Sequence, residues 1–352
     1  MRKIKVAIMG ATGMVGQQYI RLLITHPWFG ISLLIGKKSA GKPFGDTVEW
    51  VGEYDPPSSI KQIVVSELNP GVGGADIFFS CLPSDVAREV ECEFAKEFAV
   101  VSDTSAFRME DDIPLLIPEL NAEHLKLIER QRKERDWRGL LVTGPNCTTS
   151  GLAMALKPID DLYNVKKVIV TTMQALSGAG FPGVPSLMTV DNVVPYIKDE
   201  EEKVARETRK ILGRFANNRV AENDMQVAAS CNRVTVTDGH LETLYLETEK
   251  KVNVAEVKKA LSEFKGLPQL LKLPSAPENP IIVREENDRP QPRRDRNSGS
   301  VPGMSVVVGR VRKGLDENSM QLTILSHNTV RGAAGNAILI AELLLKQGYL
   351  EK

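Results

Sequence analysis

A single cysteine in a short polar turn is the residue of this sequence best suited to covalent chemistry. Cys147 lies in the run Gly144-Pro145-Asn146-Cys147-Thr148-Thr149-Ser150-Gly151, between an apolar stretch and a stretch with helical periodicity. This arrangement predicts a thiol near the start of a helix, where backbone N–H groups and the helix dipole lower a cysteine pKa. Because the thiolate is the nucleophilic form, Cys147 is a candidate nucleophile. A small thiol that only packs is the alternative interpretation.

A glycine-rich turn near the start of the chain predicts a dinucleotide site. The run Gly10-Ala11-Thr12-Gly13-Met14-Val15-Gly16 follows a predicted strand and opens a predicted helix. Glycines at this spacing allow a tight turn and let a pyrophosphate approach the helix N-terminus. The alternative is a glycine turn that serves only backbone geometry. The residues predicted to contact the cofactor here are Gly10, Thr12, Gly13, Met14 and Val15.

Basic residues follow the second predicted strand, where an NAD site usually carries Asp or Glu for the ribose 2′-hydroxyl. This sequence has Lys37, Lys38 and Ser39 at that place. Cations and a hydroxyl donor suit a 2′-phosphate, so Lys38 and Ser39 favour NADP over NAD as the cofactor. An exposed basic loop without a ligand is the other interpretation, since surface lysines are common.

Three polar side chains in the second half of the chain could serve the thiol. Gln174 ends a predicted strand and precedes the glycine-rich turn Ser177-Gly178-Ala179-Gly180. Arg233 could clamp a carboxylate or a phosphate, and His240 could exchange protons near neutral pH. We expect both on one strand, where an offset of seven residues points to opposite faces. A bulge or the turn at Asp238-Gly239 would be needed to bring them together, so spacing alone leaves this open.

The elements around these residues follow two patterns. In the first half, short branched runs alternate with helical stretches, which is typical of a doubly wound parallel sheet. In the second half, long alternating runs favour a mostly antiparallel sheet. The predicted strands are 4–9, 31–35, 75–82, 99–102, 140–143, 168–174, 281–284, 304–311, 321–325 and stretches within 227–249. The predicted helices are 15–24, 200–212, 254–264 and 332–346.

Composition limits the classes of function. The 352 residues suggest roughly two domains at about 150 residues each. Lys and Arg together number 45, as do Asp and Glu, which argues against a generally basic nucleic-acid-binding surface. No apolar run approaches the roughly 18 residues needed to cross a bilayer. The four cysteines form no Cys-x-x-Cys pair, which favours reduced thiols in a cytoplasmic protein and no metal site.

Taken together, the motifs resemble aspartate-semialdehyde dehydrogenases of the archaeal and fungal type over nearly the whole chain. The cysteine turn and the segments Ser230-Cys231-Asn232-Arg233-Val234 and Asp238-Gly239-His240 are the most specific. The other matching segments are 10–13, 39–42, 82–85, 105–109, 173–180, 303–310 and 327–335.

The resemblance implies a Rossmann-like doubly wound parallel sheet plus a second α+β domain with a mostly antiparallel sheet, as in glyceraldehyde-3-phosphate dehydrogenase. It implies an NADP-binding domain at 1–149, completed by a C-terminal helix at 330–352. Residues 150–329 would form the catalytic and dimerisation domain.

The resemblance also implies a role for each matching residue. Cys147 would be the nucleophile, His240 the general acid/base, and Gln174 the residue that orients the substrate or acyl-enzyme. Five residues would bind substrate: Arg233 the α-carboxylate, Arg108 and Asn146 the phosphate, and Glu200 with Lys203 the amine and phosphate. Which acid of Glu200-Glu201-Glu202 makes that contact stays open. Further cofactor contacts would come from Ser177, Gly178 and Asn328.

The implied reaction is the NADPH-dependent reductive dephosphorylation of L-aspartyl-4-phosphate to L-aspartate 4-semialdehyde through a Cys147 thioester. It would serve lysine (through diaminopimelate), threonine, methionine and isoleucine biosynthesis. We expect a cytoplasmic homodimer or homotetramer without nucleic-acid or membrane partners.

Two alternatives remain at this stage. A malonyl-CoA reductase of the same fold would depart from this sequence at the residue before the cysteine and around Arg233, so Asn146 and Ser230-Cys231-Asn232 favour the semialdehyde enzyme. A non-catalytic NADP-binding protein would not need Cys147, Gln174, Arg233 and His240 together.

Overall fold

The first sheet is five-stranded and wholly parallel in this computed structural model, which describes residues 3–52 and 54–350. Its strands run in the order β2-β1-β3-β4-β5, and three of them are short runs buried along their whole length, as expected when helices cover both faces. The strands are β1 (Ile4–Met9), β2 (Phe29–Ile35), β3 (Ile77–Ser80), β4 (Ala99–Ser102) and β5 (Leu140–Thr143).

The second sheet is six-stranded and mixed, in the order β11-β12-β13-β10-β6-β9. The pairs β6–β9 and β11–β12 are parallel, and the three other pairs are antiparallel. Its strands are β6 (Val165–Gln174), β9 (Gln226–Arg233), β10 (His240–Thr248), β11 (Ile281–Arg284), β12 (Val306–Lys313) and β13 (Ser319–Ser326). A separate ribbon pairs β7 (Arg214–Ala216) with β8 (Arg219–Ala221). The predicted fold class is confirmed.

Helices cover both sheets. They are α1 (Met14–Leu23), α2 (Ser58–Lys61), α3 (Ser84–Ala95), α4 (Pro118–Asn121), α5 (Leu127–Arg135), α6 (Cys147–Tyr163), α7 (Ser186–Thr189), α8 (Glu200–Ile211), α9 (Val254–Glu263), α10 (Leu267–Leu270), α11 (Pro292–Asp295) and α12 (Gly335–Lys346). Short 3₁₀ turns lie at Phe44–Asp46, Pro70–Val72, Ala122–Lys126 and Leu176–Ala179, and a π-type turn at Val330–Ala334. Among the described helices, none is long and apolar enough to cross a membrane.

Apolar cores lie against both sheets. Ile338 and Leu339 of α12 join the core that contains Val6 and Ile8 of β1, so the last helix packs on the first sheet. The apolar face of α6 joins the core of the second sheet. The domain boundaries given above stay a prediction.

The parallel strands place two of the predicted sites at one edge. Because all five strands of the first sheet run the same way, their carboxyl ends share an edge. The glycine turn follows β1 there, and the cysteine turn follows β5. A dinucleotide bound at the start of α1 therefore lies at the same edge as the start of α6.

Candidate active site

Cys147 is the first residue of α6, as the sequence predicts. Asn146 caps this helix, because its side-chain Oδ1 accepts the backbone N–H groups of Thr148 and Thr149 at 2.9 and 3.2 Å. Asparagine is among the preferred N-cap residues for this reason. The cap fixes where the helix begins and so fixes the position of the sulfur.

The imidazole of His240 contacts the Cys147 sulfur. Its Nε2 lies 3.2 Å from Sγ, and the backbone N–H of Ala175 donates to its Nδ1 at 3.1 Å. Because Nδ1 accepts a hydrogen bond, a neutral ring carries its proton on Nε2. That N–H points at the sulfur and is placed to stabilise negative charge on it.

Burial disfavours the charged form of both members of this pair. Burial raises the pKa of Cys147 to about 12, and the nearby Glu200 carboxylate adds to the rise. Arg108, Arg233 and the backbone N–H of Thr148 act in the opposite direction and lower the pKa by less. Burial lowers the pKa of His240 to about 3, with smaller contributions from Arg233 and His327. The expectation that the helix N-terminus would leave this thiol with a lowered pKa was wrong, because desolvation of the thiolate outweighs the helix.

Arg233 and Gln174 lie beside this pair at the end of β6. Gln174 pairs with Arg233 in the β6–β9 ladder, and its Nε2 donates to Thr172 Oγ1 at 3.3 Å. Nη1 of Arg233 donates to the carbonyl oxygen of Ala175 at 2.6 Å, and burial lowers the pKa of this guanidinium. A buried arginine at this place can pair with a substrate carboxylate.

The prediction that Arg233 and His240 share one strand was wrong. Arg233 ends β9 and His240 begins β10, on opposite sides of β6. Residues 234–239 alternate like a strand, yet the carbonyl groups of Val236 and Thr237 accept from the backbone of the turn after β6. Because β9 runs parallel to β6 and β10 antiparallel to it, both residues reach the same end of β6.

The glycine-rich turn after β6 packs directly on these side chains. A Cβ on Gly178 would lie 2.8 Å from Nη1 of Arg233 and 3.1 Å from Cε1 of His240. Asn328 donates through Nδ2 to Oγ of Ser177 at 2.8 Å and accepts the N–H of Gly239 at 2.9 Å. Both ends of the Asn328 amide thus bind the protein and hold this turn against the segment before His240.

Glu200 is the acid of the 200–202 run that faces the cysteine turn. Its carboxylate accepts Nδ2 of Asn146 at 3.0 Å and Oγ1 of Thr148 at 3.2 Å. Glu201 instead accepts the backbone N–H of Cys231, and Glu202 is exposed. Glu200 is therefore the acid of this run that contacts the cysteine turn, and which acid binds substrate stays a prediction.

Charged side chains of both signs line a small cavity beside the cysteine turn. The cavity has a volume of about 210 Å³, and its lining includes three cations, Arg108, Lys203 and Arg206, and three acids, Asp199, Glu202 and Glu207. Arg108 is buried and donates through Nε to the carbonyl oxygen of Gly144 at 2.9 Å. The sequence prediction missed Arg206, although its position three residues after Lys203 on an amphipathic helix places the two side chains on one face.

The glycine turn after β1 fits a pyrophosphate. Gly10 has a φ of +87°, and a Cβ there would lie 2.9 Å from the carbonyl oxygen of Cys81. Gly13 is the N-cap of α1, and among the described residues no side chain caps this helix and no acid lies in its first turn. Its free N–H groups can therefore bind an anion.

The other predicted cofactor residues lie at two places around this turn. Met14 and Val15 open α1, next to Thr12. Lys38 and Ser39 follow β2, with Lys38 exposed and Ser39 buried. The described residues contain no group of three or more His, Cys, Asp or Glu side chains placed to hold a metal ion.

Two family profiles match this chain. "Semialdehyde dehydrogenase, NAD binding domain" matches residues 5–128, and "Semialdehyde dehydrogenase, dimerisation domain" matches residues 156–331. The chain belongs to the semialdehyde dehydrogenase family. Both profiles cover parts of the structure that contribute to the site, since the first includes the glycine turn and the second includes His240.

Relatives within the semialdehyde dehydrogenase family carry two names. An aspartate-semialdehyde dehydrogenase of Archaeoglobus fulgidus is 51% identical over 97% of this chain and 98% of its own length. A malonyl CoA reductase (NADP) of Metallosphaera sedula is 43% identical over 100% of this chain and 99% of its own. A crystal structure of the Candida albicans aspartate semialdehyde dehydrogenase with NADP superimposes with a TM-score of 0.90 at 38% identity, covering 99% of this chain and 100% of that one.

Proposed function

We propose that this chain catalyses the NADPH-dependent reductive dephosphorylation of L-aspartyl-4-phosphate to L-aspartate 4-semialdehyde. The observation that carries the proposal is the half-buried Cys147 thiol 3.2 Å from His240 Nε2, with Arg233 at the same end of β6. A thiol, a hydrogen-bond donor and a carboxylate clamp are what a covalent route through a thioester needs. Relatives at 51, 48 and 40% identity that carry the name aspartate-semialdehyde dehydrogenase support the same substrate.

The side chains around the sulfur bind the two ends of the substrate. Arg233 pairs with the α-carboxylate, and Glu200 accepts the α-ammonium group. Lys203, Arg206 and Arg108 hold the phosphate, since these three cations line one cavity beside the cysteine turn. Asn146 supports this end by holding the turn.

The reaction then proceeds at the sulfur. The Cys147 thiol loses its proton to solvent, and the thiolate forms a bond to the acyl carbon while the C–O bond to phosphate breaks. NADPH, when bound, supplies the hydride that reduces the thioester. The resulting oxyanion collapses to the aldehyde and releases the thiolate. Gln174 orients the acyl group, and Nε2–H of His240 donates to the sulfur and the oxyanion.

The resemblance implies a second role for His240 besides hydrogen-bond donation, namely proton exchange with the reacting groups. An imidazolium needs a proton on Nδ1, where the Ala175 N–H already points. The geometry therefore favours hydrogen-bond donation by a neutral ring, and general acid/base action stays a prediction.

The proposal also covers the cofactor, the domains, the oligomer and the location. NADP is contacted or positioned by Gly10, Thr12, Gly13, Met14, Val15, Lys38, Ser39, Ser177, Gly178 and Asn328. The boundaries at 149/150 and 329/330 separate the two domains. A homodimer or homotetramer is supported by the match to a dimerisation domain. A cytoplasmic location is supported by four free cysteines, and a place in amino-acid biosynthesis by the substrate.

Malonyl-CoA reduction is the second candidate, because a relative of that name is 43% identical. Two assays run side by side separate the candidates: NADP reduction with aspartate semialdehyde and phosphate, and NADPH oxidation with malonyl-CoA. We expect activity in the first and at most a trace in the second. Activity only with malonyl-CoA would overturn the proposed substrate.

A further inference from the structure

Two carboxylates of α8 hold the residue that precedes the nucleophile. Glu207 Oε2 accepts the backbone N–H of Asn146 at 2.6 Å, and Glu200 accepts its side-chain Nδ2 at 3.0 Å. The two acids are seven residues apart on α8, which places them on one helix face. The Oδ1 of Asn146 accepts the N–H groups that begin α6, and its backbone carbonyl oxygen accepts the N–H of Ser150. Every polar group of Asn146 is therefore hydrogen-bonded.

The second oxygen of Glu207 links this turn to Arg108. Glu207 Oε1 accepts Nη1 of Arg108 at 3.0 Å, and both side chains are buried. Arg108 in turn donates to the carbonyl oxygen of Gly144 at 2.9 Å. The pair therefore holds the cysteine turn at two points before Cys147, Gly144 through the guanidinium and Asn146 through the carboxylate.

Lys210, one turn further along α8, fixes the loop that carries Arg108. Its Nζ donates to the carbonyl oxygens of Arg108, Glu110 and Ile113 at 2.7, 2.7 and 3.0 Å. The guanidinium partner of Glu207 thus sits on a restrained backbone. Helix α8 holds both the cysteine turn and the loop beside it.

We propose that Glu207 is a positioning residue for the nucleophile. Its carboxylate keeps the turn before Cys147 in place, so that Sγ stays at 3.2 Å from His240 Nε2. It also keeps Arg108 at the cavity proposed for the phosphate. A buried carboxylate is costly unless it is paired, and here one backbone N–H and one guanidinium compensate it. The proposal rests on the proposed function only for its turnover readout.

The test is Glu207→Gln, which keeps the side-chain shape but removes the charge. We expect kcat with aspartate semialdehyde, phosphate and NADP to fall about 10- to 100-fold, because small displacements of reacting groups are that costly. The KM for NADP should change less than about threefold, since the glycine turn after β1 lies outside this network. A kcat within about threefold of wild type would overturn the proposal.

Alkylation of Cys147 gives a readout that does not depend on the substrate. Loosening the turn exposes the sulfur, and losing a nearby negative charge favours the thiolate. Iodoacetamide should therefore label Cys147 faster in Glu207→Gln, with Cys81, Cys92 and Cys231 labelled as in wild type. Unchanged labelling of Cys147 in this variant would contradict the role of Glu207, whatever the substrate is. Inactivity of the wild-type enzyme on aspartate semialdehyde would instead reject the proposed function.

Two further variants separate positioning from folding. Glu207→Asp keeps the charge but withdraws the carboxylate by one methylene, so we expect an intermediate loss of kcat in a folded protein. Glu256→Gln is the matched control, because Glu256 on α9 accepts the hydroxyl of Tyr163 at the other end of α6. Its kcat should equal that of wild type. Full activity in Glu207→Asp, or an equal loss in Glu256→Gln, would contradict a specific role for Glu207.

Discussion

The charge state of Cys147 depends on residues far from it in sequence. Its place at the start of a helix follows from the local sequence, and Asn146 provides the expected cap. The pKa does not follow, because the burial that raises it comes from packing, and Glu200 comes from a helix fifty residues downstream. The sequence can therefore single out the candidate nucleophile without giving its reactivity.

The neutral thiol predicts a distinctive pH dependence of labelling. Because the pKa of Cys147 is raised to about 12, the thiolate is a small fraction that grows about tenfold per pH unit below that value. Iodoacetamide labelling of the free enzyme should rise steadily from pH 6 to pH 10. His240, with its pKa lowered to about 3, should add no inflection in this range.

This dependence is measured by mass spectrometry of the Cys147 peptide after timed labelling. Cys147 in the urea-unfolded chain provides the control. Its labelling rate should stop rising with pH once the pH passes the ordinary thiol pKa. A plateau near pH 7 in the folded enzyme would show a thiolate–imidazolium pair and contradict the neutral pair.

At the scale of elements, the sequence predicts strands more reliably than their connections. The predicted bounds of β1, β4, β5 and β11 agree with the structure. The segment 234–239 was misassigned because its alternation matches a strand, whereas its carbonyl groups bond to the turn after β6. Convergence of Arg233 and His240 depends on β6 lying between their strands, and pairing order is not encoded locally.

The last helix also begins differently from its prediction. The sequence predicts a helix from residue 332, whereas a π-type turn occupies Val330–Ala334 and α12 starts at Gly335. Gly332 lies in this turn against the nucleophile, where a Cβ would come within 2.8 Å of both Cα and Cβ of Cys147. The close approach leaves no room for a side chain at this position.

Gly332→Ala should therefore displace Cys147. We expect kcat to fall about 100-fold, and the free energy of unfolding to fall by about 1–3 kcal/mol from overpacking. Steady-state kinetics and urea unfolding measure the two effects. Gly30→Ala is the control, because a Cβ there meets only Lys3 at an ordinary 3.5 Å. Wild-type kcat in Gly332→Ala would mean that the turn yields without moving the sulfur.

At the scale of the whole molecule, a buried ion pair joins separate parts of the chain near the site. Arg331 donates to Glu119 at 3.0 and 2.7 Å, and its Nε donates to the carbonyl oxygen of Met304. Both side chains are fully buried. The pair thus connects α4, the segment before β12 and the turn before α12.

Removing one partner of this pair should destabilise the protein strongly. Glu119→Gln leaves a buried guanidinium without its counter-charge, so we expect a loss of about 3–5 kcal/mol in the free energy of unfolding. Glu317→Gln, which breaks the exposed pair with Lys251, should cost less than about 1 kcal/mol. Urea titration of both variants measures this difference. Equal losses would show that the buried pair contributes no more than a surface one.

The sequence specifies the overall architecture because short buried runs, glycine turns and the cysteine turn are local signals. It does not specify the Arg108–Glu207 pair, whose partners are 99 residues apart. It also could not show that the Asn328 amide would be bound by Ser177 and Gly239. These contacts arise only once the sheets and α8 are assembled.

Mass spectrometry with aspartate semialdehyde and NADP in the absence of phosphate distinguishes a covalent route through Cys147 from a direct one. We expect a burst of about one NADPH per active site and one aspartyl group attached to the Cys147 peptide, which phosphate should release. Cys147→Ser should bind NADP and show neither. A burst without an adduct on Cys147, or turnover by Cys147→Ser near the wild-type rate, would contradict the covalent route.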